Sequence, residues 1–164
     1  MSPQHLKTRA LGAIAALGFC GAALAVGNHA GGHGAGAQES AIGQPGQAAH
    51  VRRTITVEMR DSMRFSPERI SVRQGETVRF VVKNTGQLRH EFSLGTQAEL
   101  RAHHEMMKQF PDMEHDEPGK VSLAPGGQGE VLWQFNRAGE VDFACLYPGH
   151  YDAGMWGRVK VGKN

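Results

Sequence analysis

From Val51 onward the chain alternates apolar and polar residues with the period of half-buried strands. Ile55, Val57 and Met59 alternate with Thr54, Thr56 and Glu58, and Phe65-Ser66-Pro67 breaks the run. Ile70 and Val72 predict a short strand closed by Gln74-Gly75. Val78, Phe80 and Val82 predict another, ended by the turn Asn84-Thr85-Gly86. His90 to Leu94 is a further short strand. The period then changes. Leu100, His103, His104 and Met107 recur at helical spacing, Thr96 and Glu99 form a capping-box pair at the start, and Pro111 ends the run. Strand texture returns at Val121 and Leu123, before Pro125-Gly126-Gly127, and at Val131, Trp133 and Phe135, before Arg137-Ala138-Gly139. Val141, Phe143 and Cys145 share one face, and Val159 and Val161 close the chain. Short strands punctuated by Gly and Pro turns predict an all-β fold, an antiparallel sandwich or barrel, with a helical insertion at about 96–117. No internal repeat is visible.

The N-terminal quarter has none of this texture. Lys7 and Arg9 precede an uncharged run of small apolar residues, Ala10 to Ala25, that ends in Ala23-Leu24-Ala25. That is the order of a secretory signal peptide, cleaved after residue 25. The run is short of the about 20 residues a membrane span needs, so no stable membrane insertion is expected after cleavage. Residues 26–50 are Gly, Ala, Gln and Ser with His29, His33 and His50, and read as a flexible leader. Residues 51–164 then form one domain.

Charge and cysteine usage narrow the function. The chain carries 18 Lys plus Arg against 16 Asp plus Glu, and the signal takes Lys7 and Arg9 with it, leaving 16 against 16. A neutral mature protein is not built to neutralise phosphates, so nucleic acid is not an expected partner. Cleavage also removes Cys20 and leaves Cys145 as a lone thiol in an oxidising compartment, which is the periplasm on this reading. Such a thiol is paired between chains, reactive, or bound to a metal.

The segment Cys145-Leu146-Tyr147-Pro148-Gly149-His150-Tyr151-Asp152-Ala153-Gly154-Met155 places a thiolate, an imidazole and a thioether between two strands. One Cys, one His and one Met suggest copper, because sulfur donors are soft and imidazole suits both copper oxidation states. A blue-copper site needs a second His. His90, after a turn and at the start of a strand, is the best placed; His103 and His104 on the helix would be less fixed.

The order His90, Cys145, His150, Met155, together with Phe65-Ser66-Pro67, the stretch from Val72 to Phe80, and His90-Glu91-Phe92, resembles the cupredoxins: plastocyanin, azurin, auracyanin and relatives. The segment Met106 to His115 and the His-bearing leader are similar to the periplasmic copper-tolerance cupredoxins of the CopI type. The resemblance covers about Val51 to Val161 and implies a Greek-key β-sandwich holding one mononuclear type 1 copper through His90, Cys145, His150 and Met155. Residue 91 departs from the pattern: it is Glu where plastocyanins and azurins usually carry an Asn that ties the ligand loops. A strongly bound Met155 would make the site green rather than blue.

Within the insertion, His103, His104, Met106, Met107, Met113 and His115 have two readings. Met at helical spacing is usually core filler; His and Met in an exported copper protein also suit a second, weaker copper. The leader histidines divide in the same way between soluble spacer and weak metal capture. The expected function is exported copper binding in periplasmic copper tolerance, with Cu(I)/Cu(II) redox capability. Copper is the expected partner, with periplasmic redox or copper-handling proteins beside it. The alternative is a dedicated electron carrier. A copper enzyme fits less well, since there is one domain and no His-x-His motif.

Overall fold

The computed structural model describes residues 40–110 and 117–163. The signal peptide, His29, His33, Met113 and His115 lie outside the described residues. Among the described residues, ten strands form two five-stranded sheets. The first sheet has the order β1 (Gln44–Pro45), β8 (Gln128–Gln134), β5 (Thr77–Asn84), β2 (Val51–Arg60), β3 (Arg64–Ser66). The second has the order β4 (Arg69–Arg73), β10 (Trp156–Gly162), β9 (Gly139–Ala144), β6 (His90–Gly95), β7 (Lys120–Leu123). Helix α1 spans Gln97–Gln109, opened by the capping box between Thr96 and Glu99.

The inner faces supply the core. Val57 and Met59 of β2, Val78, Phe80 and Val82 of β5 and Val131 and Trp133 of β8 meet Phe92 of β6, Val141 and Phe143 of β9 and Val159 and Val161 of β10. Aromatic rings fill the middle. Phe92 lies 5.1 Å from Phe143, 5.3 Å from Phe80 and 6.1 Å from Phe65, in the range where ring pairs attract.

The structure departs from the sequence reading in four places. First, the sandwich is not purely antiparallel: β2 pairs with β5, and β10 with β4, in parallel. Between β2 and β5 the chain makes β3 and then crosses to the other sheet as β4, so β5 returns in the same direction as β2. Second, the break at Phe65-Ser66 is itself strand β3, paired with β2 across a tight turn at residues 61–63. Third, β6 and β9 do not alternate, because their outer faces are covered as well. All six residues of β6 are buried, and Ala144 lies under α1. Fourth, residues 40–50 are not a free leader. Ile42 is buried, its carbonyl accepts the Trp133 Nε1–H at 2.8 Å, and Gln44–Pro45 adds an edge strand to β8. Gly43 permits this with φ +111°, where a Cβ would fall 2.1 Å from the Gln134 carbonyl oxygen. A single apolar anchor in a Gly/Ala-rich stretch has no period to reveal it.

Phe92 stands between both sheets and beside His90, so truncating it tests the core most directly. Phe92→Ala is expected to cost about 3–5 kcal/mol, read as a lower urea midpoint with an unchanged slope.

Candidate metal centre

Two chain segments at one end of the second sheet build the site. The first is the start of β6. The turn leading into it is fixed by buried Asn84, whose Nδ2 donates to the carbonyls of Leu88 at 2.7 Å and Leu123 at 3.0 Å. Asp61, in the β2–β3 turn, accepts the N–H groups of Gln87 at 2.7 Å and Leu88 at 3.2 Å. Its Oδ1 also lies 3.0 Å from His90 Nε2. An ionised carboxylate only accepts, so Nε2 carries the proton and His90 Nδ1 keeps its lone pair. The Gln87 N–H, and after it the His90 ring, hold the Asp61 carboxyl below its ordinary value, so the acceptor stays ionised at neutral pH.

The second segment runs from Cys145 to Met155 and is laced by its own backbone. Cys145 N–H donates to Met155 C=O at 3.0 Å, Met155 N–H to His150 C=O at 3.0 Å, and His150 N–H to Tyr147 C=O at 3.0 Å. Arg64 of β3 donates from Nη1 to the Ala153 carbonyl at 2.9 Å. Gly149 and Gly154 take φ of +83° and +95°, conformations that favour glycine.

The segments meet at three donor atoms. His90 Nδ1 lies 3.2 Å from His150 Nδ1, and Cys145 Sγ lies 3.3 Å from His150 Nδ1. All three atoms fall within 4.8 Å of one another, and among the described residues this is the cluster of His, Cys and carboxylates dense enough to hold a metal. Bonds of about 2.0 Å to nitrogen and 2.3 Å to sulfur at tetrahedral angles would set donors roughly 3.3–3.5 Å apart, close to the two distances to His150 Nδ1. His90, Cys145 and Met155 are fully buried, and Met155 belongs to the same apolar cluster as Cys145. His150 is half-buried. Two imidazoles, a thiol and a nearby thioether form a soft, closely spaced set that suits copper.

The environment disfavours a proton at His150 and a bare charge at the sulfur. Burial, and then His90, lower the His150 pKa, which keeps its lone pair free at neutral pH. Burial pushes the Cys145 thiol up to about 12; the N–H of Glu91, 3.4 Å from Sγ, opposes that shift and the Glu91 charge adds to it.

Glu91 restores the tie that its identity put in question. It is 1% exposed, and its Oε1 accepts the Leu146 N–H at 2.9 Å, bonding β6 to the residue after the cysteine. Its other oxygen lies 3.4 Å from Lys120 Nζ and 3.5 Å from Ser122 Oγ, both on β7. Asp61, Arg64 and Lys120 were not singled out in the sequence. Asp61 is 29 residues from His90, and a turn aspartate has an ordinary explanation without a distant partner.

Among the described residues the insertion holds no second cluster of His, Cys and carboxylates of that density. His104 and Met107 are buried beneath the helix, Met106 points to solvent, and His103 is half-buried. His50 is exposed in a turn of 3-10 helix.

Two measurements follow from this geometry. Asp61→Ala removes the acceptor that orients His90 and is expected to weaken copper binding about 10–100-fold, with Asp61→Asn between it and the parent, in competition titrations against a chromophoric chelator. The pH dependence has a definite sign. A thiol raised from 9.0 to about 12 is protonated at neutral pH, so copper must displace one proton from it. Apparent affinity is expected to rise about tenfold per pH unit from pH 7 to 9, and more steeply below the imidazole range where His150 also gains a proton. The same raised pKa contributes stability to the metal-free fold that is fully present below pH 9 and lost as pH climbs toward 12.

Comparison with known proteins agrees with the geometry. The model of the copper binding proteins of the plastocyanin/azurin family matches residues 51–162. The copper-resistant cuproprotein CopI of Rubrivivax gelatinosus is 53% identical over 133 residues, covering 81% of this chain and 80% of that protein. CopI of Pseudomonas aeruginosa is 38% identical over 162 residues, covering 78% of this chain and 89% of that protein. Among solved structures, the reduced auracyanin of Roseiflexus castenholzii superposes with a TM-score of 0.58 at 22% identity, over 68% of this chain and 98% of its own; at that identity it speaks for the fold alone. A two-sheet sandwich whose end brings together His90, Cys145 and His150, matched along its length by these sequences, belongs to the plastocyanin/azurin family of copper-binding proteins, the cupredoxins, among relatives of CopI.

Proposed function

We propose that the chain is an exported protein that holds one type 1 copper through His90, Cys145, His150 and Met155 and serves periplasmic copper tolerance. The observation that carries the site is the meeting of His90 Nδ1, Cys145 Sγ and His150 Nδ1 within 4.8 Å. The role in tolerance is supported by the 53% identity to a protein named for copper resistance. Export rests on the N-terminal run Ala10 to Ala25, and among the described residues no helix is long and apolar enough to cross a membrane.

The chain's own groups divide the work. Asp61 fixes the His90 tautomer so that Nδ1 faces inward. The Glu91 N–H reaches the cysteine sulfur and takes up part of its charge once the proton leaves. His150, neutral and half-buried, is the group through which solvent or a partner meets the site. When bound, copper supplies a one-electron Cu(I)/Cu(II) couple. The protein transforms no substrate on this reading; its partners are copper and periplasmic redox or copper-handling proteins.

An electron-carrier role has one observation in its favour: His150 is half-buried while the other three side chains are sealed. Two experiments decide the matter. Titrating the mature protein with Cu(II) is expected to give an intense thiolate-to-copper band that saturates at one equivalent and vanishes in Cys145→Ala. No such band would end the copper-site reading. Deleting the gene is expected to sensitise cells to copper; a deletion that leaves copper tolerance intact but slows a respiratory or photosynthetic chain would install the electron-carrier role instead.

A further inference from the structure

We propose that helix α1 is a buttress for the ligand loop, and that His104 is a positioning residue that holds the loop through Asp152. The inference rests on the copper-site reading above and assigns the insertion a part in it.

The buried face of α1 consists of Leu100, His104 and Met107. Leu100 and Met107 pack with Ala144 and Leu146, the two neighbours of Cys145, and with Tyr151, the residue after His150. His104 lies between them, 2% exposed, with its ring 4.9 Å from that of Tyr151. Its Nε2 is 3.1 Å from Asp152 Oδ1, and Lys108, one turn on, places Nζ 3.8 Å from Asp152 Oδ2. One carboxylate, between His150 and Met155 in sequence, is therefore gripped by two side chains of the helix.

A buried imidazole is a poor choice if filling the seam were its whole task. Donating Nε2–H to Asp152 leaves Nδ1 as a lone pair, and that atom is buried with no hydrogen-bond partner. Leucine or methionine would fill the space with no bare polar atom. What the imidazole adds is a directional bond to a fixed point of the loop. The next residue, Ala153, is held by Arg64 of β3, whose Nη1 donates to its carbonyl. The loop is thus clamped at consecutive positions by α1 and by β3, between two of its copper-facing side chains.

The test uses the full mature protein loaded with Cu(II). It compares His104→Ala, His104→Gln and Val161→Ala, the last a buried residue at the far end of β10. The readouts are the ratio of the thiolate-to-copper absorption bands and the rate of copper release to a chelator. His104→Ala is expected to shift the band ratio and to release copper about tenfold faster. His104→Gln, whose amide can still donate to Asp152, should recover most of both. Val161→Ala should lower the melting temperature and leave the band ratio in place. If His104→Ala fails to fold, Asp152→Ala removes the same bond from its exposed end and should give the same shifts. A variant lacking the bond that keeps the parent's band ratio and release rate would overturn the proposal and leave α1 as ordinary core. Absence of the intense band from the parent protein would instead overturn the copper-site reading on which it rests.

Discussion

Glu91 stands beside His90 on β6, sealed from solvent, and its Oε1 accepts the N–H of Leu146 at 2.9 Å. The strand bearing the first histidine is thereby bonded to the residue that follows the cysteine, 55 positions later in the chain. An ionised carboxylate in that place is tolerable only with compensation, since a buried charge without a partner costs several kcal/mol. Lys120 supplies it, with its own side chain 7% exposed and Nζ 3.4 Å away. Edge strand β7 therefore carries more than a row of ladder bonds: it brings a cation to Glu91 between the two ligand segments. A neutral amide would make the tie without a counter-charge, so the choice of glutamate and the placement of Lys120 belong together.

That carboxylate also acts on the sulfur. Its backbone N–H approaches Sγ at 3.4 Å and favours the thiolate, whereas its charge disfavours it. Burial is the larger effect and keeps the thiol protonated. The imidazoles are arranged the opposite way, with His90 oriented by Asp61 and His150 kept neutral by burial. The Cys145 thiol must therefore lose a proton to bind a metal, whereas burial leaves the His150 lone pair free.

Much of this was legible in the chain. Alternation placed the principal strands, the change of period placed α1, and the capping pair at Thr96 and Glu99 fixed its start. The candidate donors were legible because Cys, His and Met together in one short loop have few structural explanations. What was not legible depends on pairings distant in sequence. The parallel partnership of β2 and β5 needs the chain to leave one sheet and return, which no local pattern records. Two-sided burial of β6 accompanies its neighbours α1 and β7, so even the polar Glu91 and Ser93 are buried, which no local pattern records. The orientation of His104 was hidden for a similar reason: helical spacing puts it on a face with Leu100 and Met107, and its residue type suggests a ligand, but only the fold shows that the face meets Tyr151 and Asp152.

The placement of the supports explains why the fold, and not the loop alone, sets the site. Every proposed donor springs from the second sheet or its connections: His90 from the start of β6, and Cys145, His150 and Met155 from the link between β9 and β10. Two of the groups that orient them come from the first sheet, Asp61 from the β2–β3 turn and Arg64 from β3. A loop braced only by its own backbone bonds could shift as a unit; one braced also from the opposing sheet moves only if the sheets move. The sheets are held in register by the rings of Phe65, Phe80, Phe92 and Phe143, with Phe92 two residues from His90 and Phe143 two from Cys145. The aromatic core and the donor geometry are therefore one mechanical system. Rigidity at the candidate donors is obtained from packing that begins directly beneath them.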